Sequence, residues 1–448
     1  MPALRQTSCR WCTQIGALVD PLLQGHWVDV LSIGIVDSEG THVLHCGSPR
    51  PSDETLYELG SLSKVLTTST LAVLAHEGVV EFGDVVSAFL PEVGTLQNMT
   101  LLSLATHTSG LPPLPTNFQP REPRDPYADY LERHLTEFLV SYESPEGLEA
   151  YTYSNLGVGL LGYVLAEHTG TPYERLVKNR ITGPLRMKDT TITLDQAQLA
   201  RFLQGHDADG MPVGPWNFGV LQGAGAWRST VADMVVFLET NIDPPDTGLG
   251  RSLRMAHALR DVSPGVTRAL GWLVAPEGWL WHNGETGGGH AFLSFSPESR
   301  RGVVVLSNTA SRVVDRLGLA IMRFLHGMPH ALDIPDTVEL PVTSLERYVG
   351  RYVFDSETEM LIELHDTRLF ARIVGQESLG IYATSPELFY YRAVDAELEF
   401  IMQEDGDISG LRLHQGGVTS TAYRASTHVE ASHSRQSQIE DGSSEGRP

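Results

Sequence analysis

The sequence predicts an α/β (α+β) fold class: a mixed helix-and-sheet domain over residues 1–330, followed by a small antiparallel β-barrel over residues 345–427. Two observations lead to this prediction. The chain has 448 residues, of which 41% are hydrophobic and 19% charged, enough for two or three domains with a large core. After about residue 330 the helical patterns stop, and short alternating segments replace them.

The first domain alternates strand and helix patterns. Residues 28–36 read as a strand, with a short partner at 42–46. Leucine and valine recur at helical spacing over 62–79, which predicts a helix that Gly78 ends. The later elements are an irregular segment with six prolines over 109–126, a buried helix over 156–169, and a two-stranded hairpin within 290–309.

The second domain is separated from the first by a linker. Residues 328–343 hold three prolines and almost no helical pattern, so the linker is placed at 331–344. Beyond it, seven or eight short alternating segments indicate an antiparallel barrel or sandwich. The final segment, 428–448, has few large apolar residues, and we expect a disordered tail there.

Charge and cysteine content restrict the partners. Fifty-five acidic and 32 basic residues give a net charge of −23, which argues against nucleic acid or an anionic membrane. No apolar run is long enough for a transmembrane helix, and residues 11–19 make a poor signal sequence. The odd set of Cys9, Cys12 and Cys46 favours a reducing compartment, hence a cytoplasmic location. The Cys9/Cys12 spacing would suit a redox pair or half a zinc site, but no second Cys/His pair lies nearby and no strand precedes it, so we expect incidental thiols.

One cluster at the start of the 62–79 helix has the residues for nucleophilic chemistry. Ser61 and Lys64 are three residues apart and share a face within one helical turn. A serine needs an adjacent base, and a lysine can serve only if burial lowers its pKa well below about 10.4. Lys64 is one of only three lysines, and it stands in an apolar helix where an unpaired charge is costly.

Two further clusters add proton-transfer and binding groups. Tyr153 can relay a proton if a cation lies nearby, and the Asn155 amide can bond both a lysine and a substrate carbonyl. The glycine-dense segment His282-Asn-Gly284-Glu285-Thr-Gly-Gly-Gly leads into a strand, where a substrate backbone can approach closely. Each cluster alone is equally compatible with an ordinary glycine loop or a packed tyrosine.

Together and in order, Ser-x-x-Lys at 61–64, Tyr-x-Asn at 153–155 and His-x-Gly at 282–284 resemble the signature motifs of the class C β-lactamase and penicillin-recognising serine hydrolase family. The resemblance covers roughly residues 25–327. It implies a β-lactamase-like antiparallel sheet flanked by helices, plus a helical region. The strands after residue 345 resemble the lipocalin-like barrel of some peptidases and esterases of this family. The surrounding blocks that match are ELGSLSK, LLSLATHTSGLP, YTYSNLGVGLLG, ITGPLRMKDT, GAGAWRSTVADM and WHNGETGGGHAFLSFSPESRRGVVVLSN.

The resemblance assigns roles to individual residues. Ser61 matches the acylated nucleophile, Lys64 the base that activates it, and Tyr153 the group that protonates the leaving group. Asn155 matches the residue that touches the lysine and the substrate amide. His107 fits the pattern of the ATHTSG block and is expected to be structural.

The third motif departs from the β-lactamase pattern, and the departure bears on the substrate. His282 stands where β-lactamases have the lysine of Lys-Thr-Gly, Gly284 keeps the glycine, and Glu285 places a carboxylate at the edge of the cleft. The resemblance also implies an oxyanion hole made of the backbone N–H groups of Ser61 and Glu285. Losing the lysine removes the cation that meets a substrate carboxylate, and His-x-Gly is typical of the family's D-aminopeptidases and esterases.

The sequence thus predicts a serine hydrolase that needs no metal or cofactor and cleaves an amide or ester of a small molecule or short peptide. Two alternatives, a β-lactamase and an acyltransferase, would use the same acyl-enzyme. An alternative of another class is a non-catalytic, penicillin-binding-like protein that kept the fold.

Overall fold

A computed structural model describes residues 11–93, 96, 98–143, 151–263, 266–355, 358–403 and 405–425. These residues form two compact units, and the chain passes from the first to the second after Asp336. Cys9 and the predicted tail at 428–448 lie outside the described residues. Among the described helices, none is both long enough and apolar enough to cross a membrane.

The first unit is built on a six-stranded antiparallel sheet in the order β2-β1-β12-β11-β10-β9. Three two-stranded sheets, β3-β6, β4-β5 and β7-β8, accompany it. The twelve strands are β1 (Val30–Asp37), β2 (Gly40–Gly47), β3 (Leu56–Glu58), β4 (Gly205–His206), β5 (Pro212–Val213), β6 (Arg228–Thr230), β7 (Arg260–Ser263), β8 (Val266–Arg268), β9 (Leu273–Val274), β10 (Leu280–Glu285), β11 (His290–Ser296) and β12 (Arg301–Ser307).

Helices cover the sheet and form a separate helical region. Helix α1 contains Pro21 after its first two turns, where a proline is poorly tolerated because it removes one backbone hydrogen bond. The helices of this unit are α1 (Cys12–Gln24), α2 (Ser63–His76), α3 (Val86–Phe89), α4 (Leu101–Ala105), α5 (Glu132–Ser141), α6 (Asn155–Thr169), α7 (Tyr173–Val177), α8 (Gln196–Leu199), α9 (Val231–Ile242), α10 (Gly248–His257) and α11 (Val313–Leu325).

Helix α2 passes between the two hydrophobic cores of this unit. Its Val65 and Leu66 pack in the core under the sheet, while Leu71 and Leu74 pack in the core of the helical region. All residues from Ser63 to Leu74 are buried. Buried polar side chains need hydrogen-bond partners, and the hydroxyls of Thr68 and Thr70 donate to carbonyls one turn back in the same helix. The central helix is therefore fixed from both sides.

The second unit is a closed, eight-stranded antiparallel barrel in which each strand pairs with the next and β13 pairs with β20. A short helix, α12 (Val342–Leu345), precedes it. The strands are β13 (Gly350–Phe354), β14 (Glu359–His365), β15 (Arg368–Ile373), β16 (Leu379–Ala383), β17 (Leu388–Tyr391), β18 (Ala396–Met402), β19 (Ile408–Gln415) and β20 (Val418–Arg424). The predicted fold class, a flanked antiparallel sheet followed by a small barrel, is confirmed.

Candidate active site

Ser61 lies in a single 3₁₀ turn, Gly60–Leu62, immediately before α2. The turn directs its side chain toward the first turn of the helix, where Lys64 Nζ lies 2.8 Å from Ser61 Oγ. Ser61 itself is partly exposed, whereas Lys64 is completely buried. A reachable hydroxyl beside a water-shielded amine is the arrangement that a serine nucleophile and its base require.

The surroundings of Lys64 favour its neutral form. Burial holds the pKa of its amine well below 10.5. In addition to its contact with Ser61, Nζ donates to the Asn155 side-chain oxygen and to the Ala224 carbonyl, both at 2.8 Å. A neutral amine has two N–H groups and one lone pair, and these two oxygens can only accept. The lone pair is therefore left for the Ser61 hydroxyl.

Tyr153 completes this group. It precedes α6, and the Lys64 amine lies 4.9 Å from the centre of its ring. Burial raises the pKa of the Tyr153 hydroxyl, and a hydrogen bond with Ser61 partly opposes that rise. The phenol is thus protonated at neutral pH, in hydrogen-bonding contact with the nucleophile.

His107 holds the Tyr153 segment in place. The two rings stack with their centres 4.5 Å apart, and His107 Nδ1 accepts a hydrogen bond of 3.0 Å from the Ser154 backbone. Burial lowers the pKa of His107 well below 6.5. Its backbone has a positive φ of 61°. These contacts give the residue a structural function.

Asn155 is oriented by a residue that no motif indicated. Its side-chain Nδ2 donates to the Tyr127 hydroxyl at 2.9 Å, which leaves the side-chain oxygen for Lys64. Tyr127 is buried and stacks on Phe218, with the ring centres 4.7 Å apart. It follows the proline-rich segment, where the sequence has no periodicity that could place it, so sequence reasoning missed it.

The third motif lies on β10, directly against the Ser61 turn. A Cβ added at Gly284 would be 2.0 Å from the Leu59 carbonyl oxygen and 2.6 Å from the Ser61 nitrogen. A Cβ at Gly60, whose φ is +49°, would be 2.7 Å from the Glu285 nitrogen. Only glycine fits at both positions. The backbone nitrogens of Ser61 and Glu285 therefore flank one close contact between strand and turn.

His282 is neutral and has a defined tautomer. Its Nδ1 lies 2.5 Å from the carbonyl oxygen of Asn283, which can only accept, so Nδ1 carries the proton. Burial lowers the pKa of His282 to about 3. The other nitrogen, Nε2, is buried and has no hydrogen-bond partner among the residues that the structure describes. Nε2 is therefore an unprotonated acceptor. The His282 residue is 1% exposed, and its ring lies beside that of Tyr153.

The side chain of Glu285, predicted as a carboxylate at the edge of the cleft, is bonded to a histidine. Its Oε2 lies 2.9 Å from His290 Nδ1, and His290 Nε2 lies 2.8 Å from Asp315 Oδ1. Burial disfavours the charged imidazole, but the two carboxylates outweigh it and raise the pKa of His290 to about 9. The carboxylates of Glu285 and Asp315 therefore share one imidazolium, and sequence reasoning missed this arrangement.

The seven predicted site residues are thus brought together. Ser61, Lys64, Tyr153 and Asn155 form one connected group around the lysine amine. Gly284 and the Glu285 backbone lie against the Ser61 turn, and His282 faces Tyr153 at a ring-centre distance of 6.3 Å. Within the described ranges, no three His, Cys, Asp or Glu side chains gather as metal ligands.

Comparison with known proteins places this site in context. Residues 15–327 match the family model described as Beta-lactamase, and residues 335–430 match a model described only as a domain of unknown function, DUF3471. A β-lactamase of Pseudomonas fluorescens is 24% identical over 66% of this chain and 92% of its own length. Penicillin-binding protein 4* of Bacillus subtilis is 26% identical over 83% of this chain and 88% of its own length.

Two further similarities extend the range of relatives. The D-alanyl-D-alanine-carboxypeptidase/endopeptidase AmpH of Escherichia coli is 29% identical over 55% of this chain and 68% of its own length. A class C β-lactamase structure superposes with a TM-score of 0.63 at 20% identity, covering 71% of this chain and 98% of the other. The match over residues 15–327 covers more than half of the sequence. The chain belongs to the Beta-lactamase family of serine hydrolases.

Proposed function

We propose that this protein is a serine hydrolase that forms an acyl-enzyme on Ser61 and cleaves an amide or ester bond. The observation that supports this most directly is the contact of 2.8 Å between Ser61 Oγ and the buried amine of Lys64. All the acceptors around that amine are uncharged, so the lysine can be a neutral base at physiological pH.

Acylation would use these groups in order. Lys64 takes the proton of the Ser61 hydroxyl while Oγ attacks the substrate carbonyl carbon. The carbonyl oxygen becomes an oxyanion that receives hydrogen bonds from the backbone N–H groups of Ser61 and Glu285. The C–N or C–O bond then breaks, and Tyr153 donates its proton to the leaving group and regains one from Lys64. Water attacks the ester by the same route in reverse and releases the acid.

The state of His282 bears on the substrate class. A lysine ammonium would donate to a substrate carboxylate, whereas the Nε2 of His282 can only accept. A substrate carboxylate would find no hydrogen-bond donor at this nitrogen, whereas a group with an N–H or O–H is compatible with it. We therefore place the protein with the D-aminopeptidase- and esterase-like members of the family, acting on a small molecule or short peptide.

Other reactions of the same acyl-enzyme are alternatives to this proposal. The relatives include proteins named as β-lactamases and as a D-alanyl-D-alanine carboxypeptidase, and the first step of those reactions would need the same Ser61 and Lys64. Acyl transfer to an acceptor other than water also begins with the same intermediate. A purely binding role is less favoured, because the whole group around the lysine amine is retained.

We also propose that the C-terminal barrel is lipocalin-like in topology. Its strands follow one another around a closed barrel in chain order, as in up-and-down barrels. Tyr348, from the turn before β13, packs its ring against Phe389 and Phe400 at centre distances of 5.1 and 4.8 Å. All three side chains are buried. These three aromatic rings form a buried cluster within the barrel unit.

A substrate screen tests the proposed function. The protein and a Ser61→Ala variant are given p-nitroanilides of amino acids, p-nitrophenyl esters and a cephalosporin. We expect turnover of an anilide or ester that falls by roughly three to six orders of magnitude in Ser61→Ala. Near-normal turnover by the variant would exclude Ser61 as the nucleophile, and turnover of the cephalosporin alone would favour the β-lactamase alternative.

A further inference from the structure

His290, the first residue of β11, has contacts that the catalytic scheme does not use. Its side chain is 1% exposed, and both of its ring nitrogens face carboxylates. Ionised carboxylates only accept hydrogen bonds, so the imidazole must donate from both nitrogens. One carboxylate, Glu285, ends β10 directly opposite His290 in the strand register. The other, Asp315, lies in the first turn of α11.

The same Asp315 also holds the neighbouring part of β10. Its Oδ2 accepts a hydrogen bond of 2.8 Å from the side-chain Nδ2 of Asn283. Side chains alternate along a strand, so Asn283 and Glu285 lie on the face opposite His282 and Gly284. Both residues that flank Gly284 are therefore tied to one carboxylate of α11, Asn283 directly and Glu285 through His290.

We propose that His290 is a positioning residue for hydrolysis: held between Glu285 and Asp315, it fixes the backbone N–H of Glu285 where the oxyanion forms. The proposal rests on the proposed function, because that N–H has such a role only if acyl transfer takes place at Ser61. The need for such an anchor is structural. Beyond Glu285 the chain enters Thr286 and three successive glycines, which restrain the end of the strand poorly.

The charges around His290 define how the anchor depends on pH. Glu285 faces it from β10 and Asp315 from α11, while its register partner on β12 is the uncharged Ser307. A further ion pair, Glu58 with Arg228, lies on the side of Gly289, the residue before His290. A Cβ built on Gly289 would lie 3.6 Å from Glu58 Cβ.

When the pH is below the raised pKa of a histidine, its imidazolium donates a hydrogen bond to each of two carboxylates. When the pH is above that pKa, the ring loses one proton and with it one of these hydrogen bonds. Since the pKa of His290 is raised to about 9, the anchor is complete at neutral pH and loses one hydrogen bond above that value. Lys64 has the opposite sign, because raising the pH increases its neutral form.

The experiment measures the second-order rate of fluorophosphonate addition to Ser61 by intact-mass spectrometry between pH 6 and 10.5. The variants are Asp315→Asn, which keeps the size of the side chain, and His290→Gln. A matched control is His257→Gln, another histidine that is partly buried, which pairs with Asn241 on the neighbouring helix. Thermal unfolding confirms that each variant is folded.

We expect the rate for the unmodified protein to fall above about pH 9. Asp315→Asn should move that fall to lower pH and reduce the rate at pH 7.5 by roughly ten- to a hundredfold, as displaced oxyanion donors do. His290→Gln should be slow throughout without this fall, and His257→Gln should match the unmodified protein. Unchanged rates and pH profiles in folded Asp315→Asn would overturn the proposal. Failure of the unmodified protein to label at Ser61 would instead refute the proposed function on which it rests.

Discussion

At the level of single residues, the reactivity of Ser61 depends on how Lys64 is kept uncharged. Its amine makes three contacts at 2.8 Å, with a hydroxyl, an amide oxygen and a backbone carbonyl. None of these three partners is acidic. Complete burial then favours the form without charge. Activity should accordingly fall as the pH drops through the lowered pKa, since a protonated Lys64 cannot accept the serine proton.

Substitution of Lys64 tests this directly. Lys64→Arg keeps a positive charge, but its guanidinium stays protonated, so acylation should fall by about a thousandfold or more. Tyr153→Phe should also be severely impaired, and the double variant should be barely worse than either single variant, because the two residues act in one proton-transfer relay. The measurement is pre-steady-state acylation with a chromogenic ester.

The matched control is Lys188→Arg, a lysine that is exposed to solvent. It should keep the normal rate, and unfolding temperatures should show that the other variants remain folded. Losses from Lys64→Arg and Tyr153→Phe that simply add would contradict a coupled proton-transfer unit.

The exchange of a lysine for His282 predicts substrate choice. Because Nε2 of His282 only accepts hydrogen bonds, neutral esters and amino-acid amides should exceed acyl-D-Ala-D-Ala peptides by at least about tenfold in kcat/KM, or roughly 1.4 kcal/mol. His282→Lys should narrow or reverse that difference. The measurement compares each variant on acyl-D-Ala-D-Ala and on the same peptide ending in an amide.

His168→Lys is the control, since it adds the same charge on the exposed end of α6, about 20 Å along the helix from Asn155. Its preference should not change. A strong preference of the unmodified protein for the peptide with the terminal carboxylate would contradict the interpretation of His282.

The sequence was sufficient to predict the residues that act on the substrate, because Ser61, Lys64, Tyr153 and Asn155 stand in short motifs. It did not indicate Tyr127 or the pairing of His290 with Asp315. Tyr127 is 28 positions from Asn155, and His290 is 25 positions from Asp315. Contacts over such distances in sequence leave no short motif from which they could be predicted. The sequence also did not indicate that the Glu285 carboxylate is paired with His290.

At the level of elements, the site is the contact between the end of β10 and the turn before α2. The strand comes so close that neither Gly60 nor Gly284 has room for a Cβ. The 62–79 pattern predicted α2, which begins at Ser63 and ends at His76. It did not predict the separate 3₁₀ turn, because that turn depends on the positive φ of Gly60 and on packing against β10.

Gly284→Ala tests this contact. The added methyl group would press on the Leu59 carbonyl and the Ser61 nitrogen, so strand and turn must separate. We expect acylation to fall by about 10²–10³-fold, as loss of an oxyanion donor does, with destabilisation of roughly 1–3 kcal/mol. The measurements are esterase kinetics and urea unfolding.

Gly83→Ala is the comparison, since an added Cβ there meets nothing within 4 Å. It should leave both measurements near their normal values. Full activity in Gly284→Ala would show that the close approach of β10 has no part in catalysis.

For the whole molecule, the change in composition after about residue 330 predicted a second domain, and the structure has an eight-stranded barrel there. The sequence left barrel and sandwich open, because alternation predicts strands but not which pair closes a sheet. Closure follows from the pairing of Tyr352–Phe354 with Ala422–Arg424.

Limited proteolysis tests the predicted boundaries. The compositions of 428–448 and 328–343 predict cleavage first in the terminal segment and next in the linker. The fragments are identified by mass spectrometry, and a fragment containing 350–420 should persist because its backbone is paired around the barrel. Early cuts inside 350–420 would count against a separate domain.

The most direct test of the account is the site of covalent modification. The protein is treated with a fluorophosphonate, digested, and the adduct is mapped by tandem mass spectrometry, with Ser63 as the internal comparison because it is buried and two residues away. A single adduct on Ser61, absent from Ser61→Ala and strongly reduced in Lys64→Arg, is the predicted result. An adduct on Ser63, or equal labelling of Lys64→Arg, would contradict the assignment of Ser61 and Lys64 as nucleophile and base.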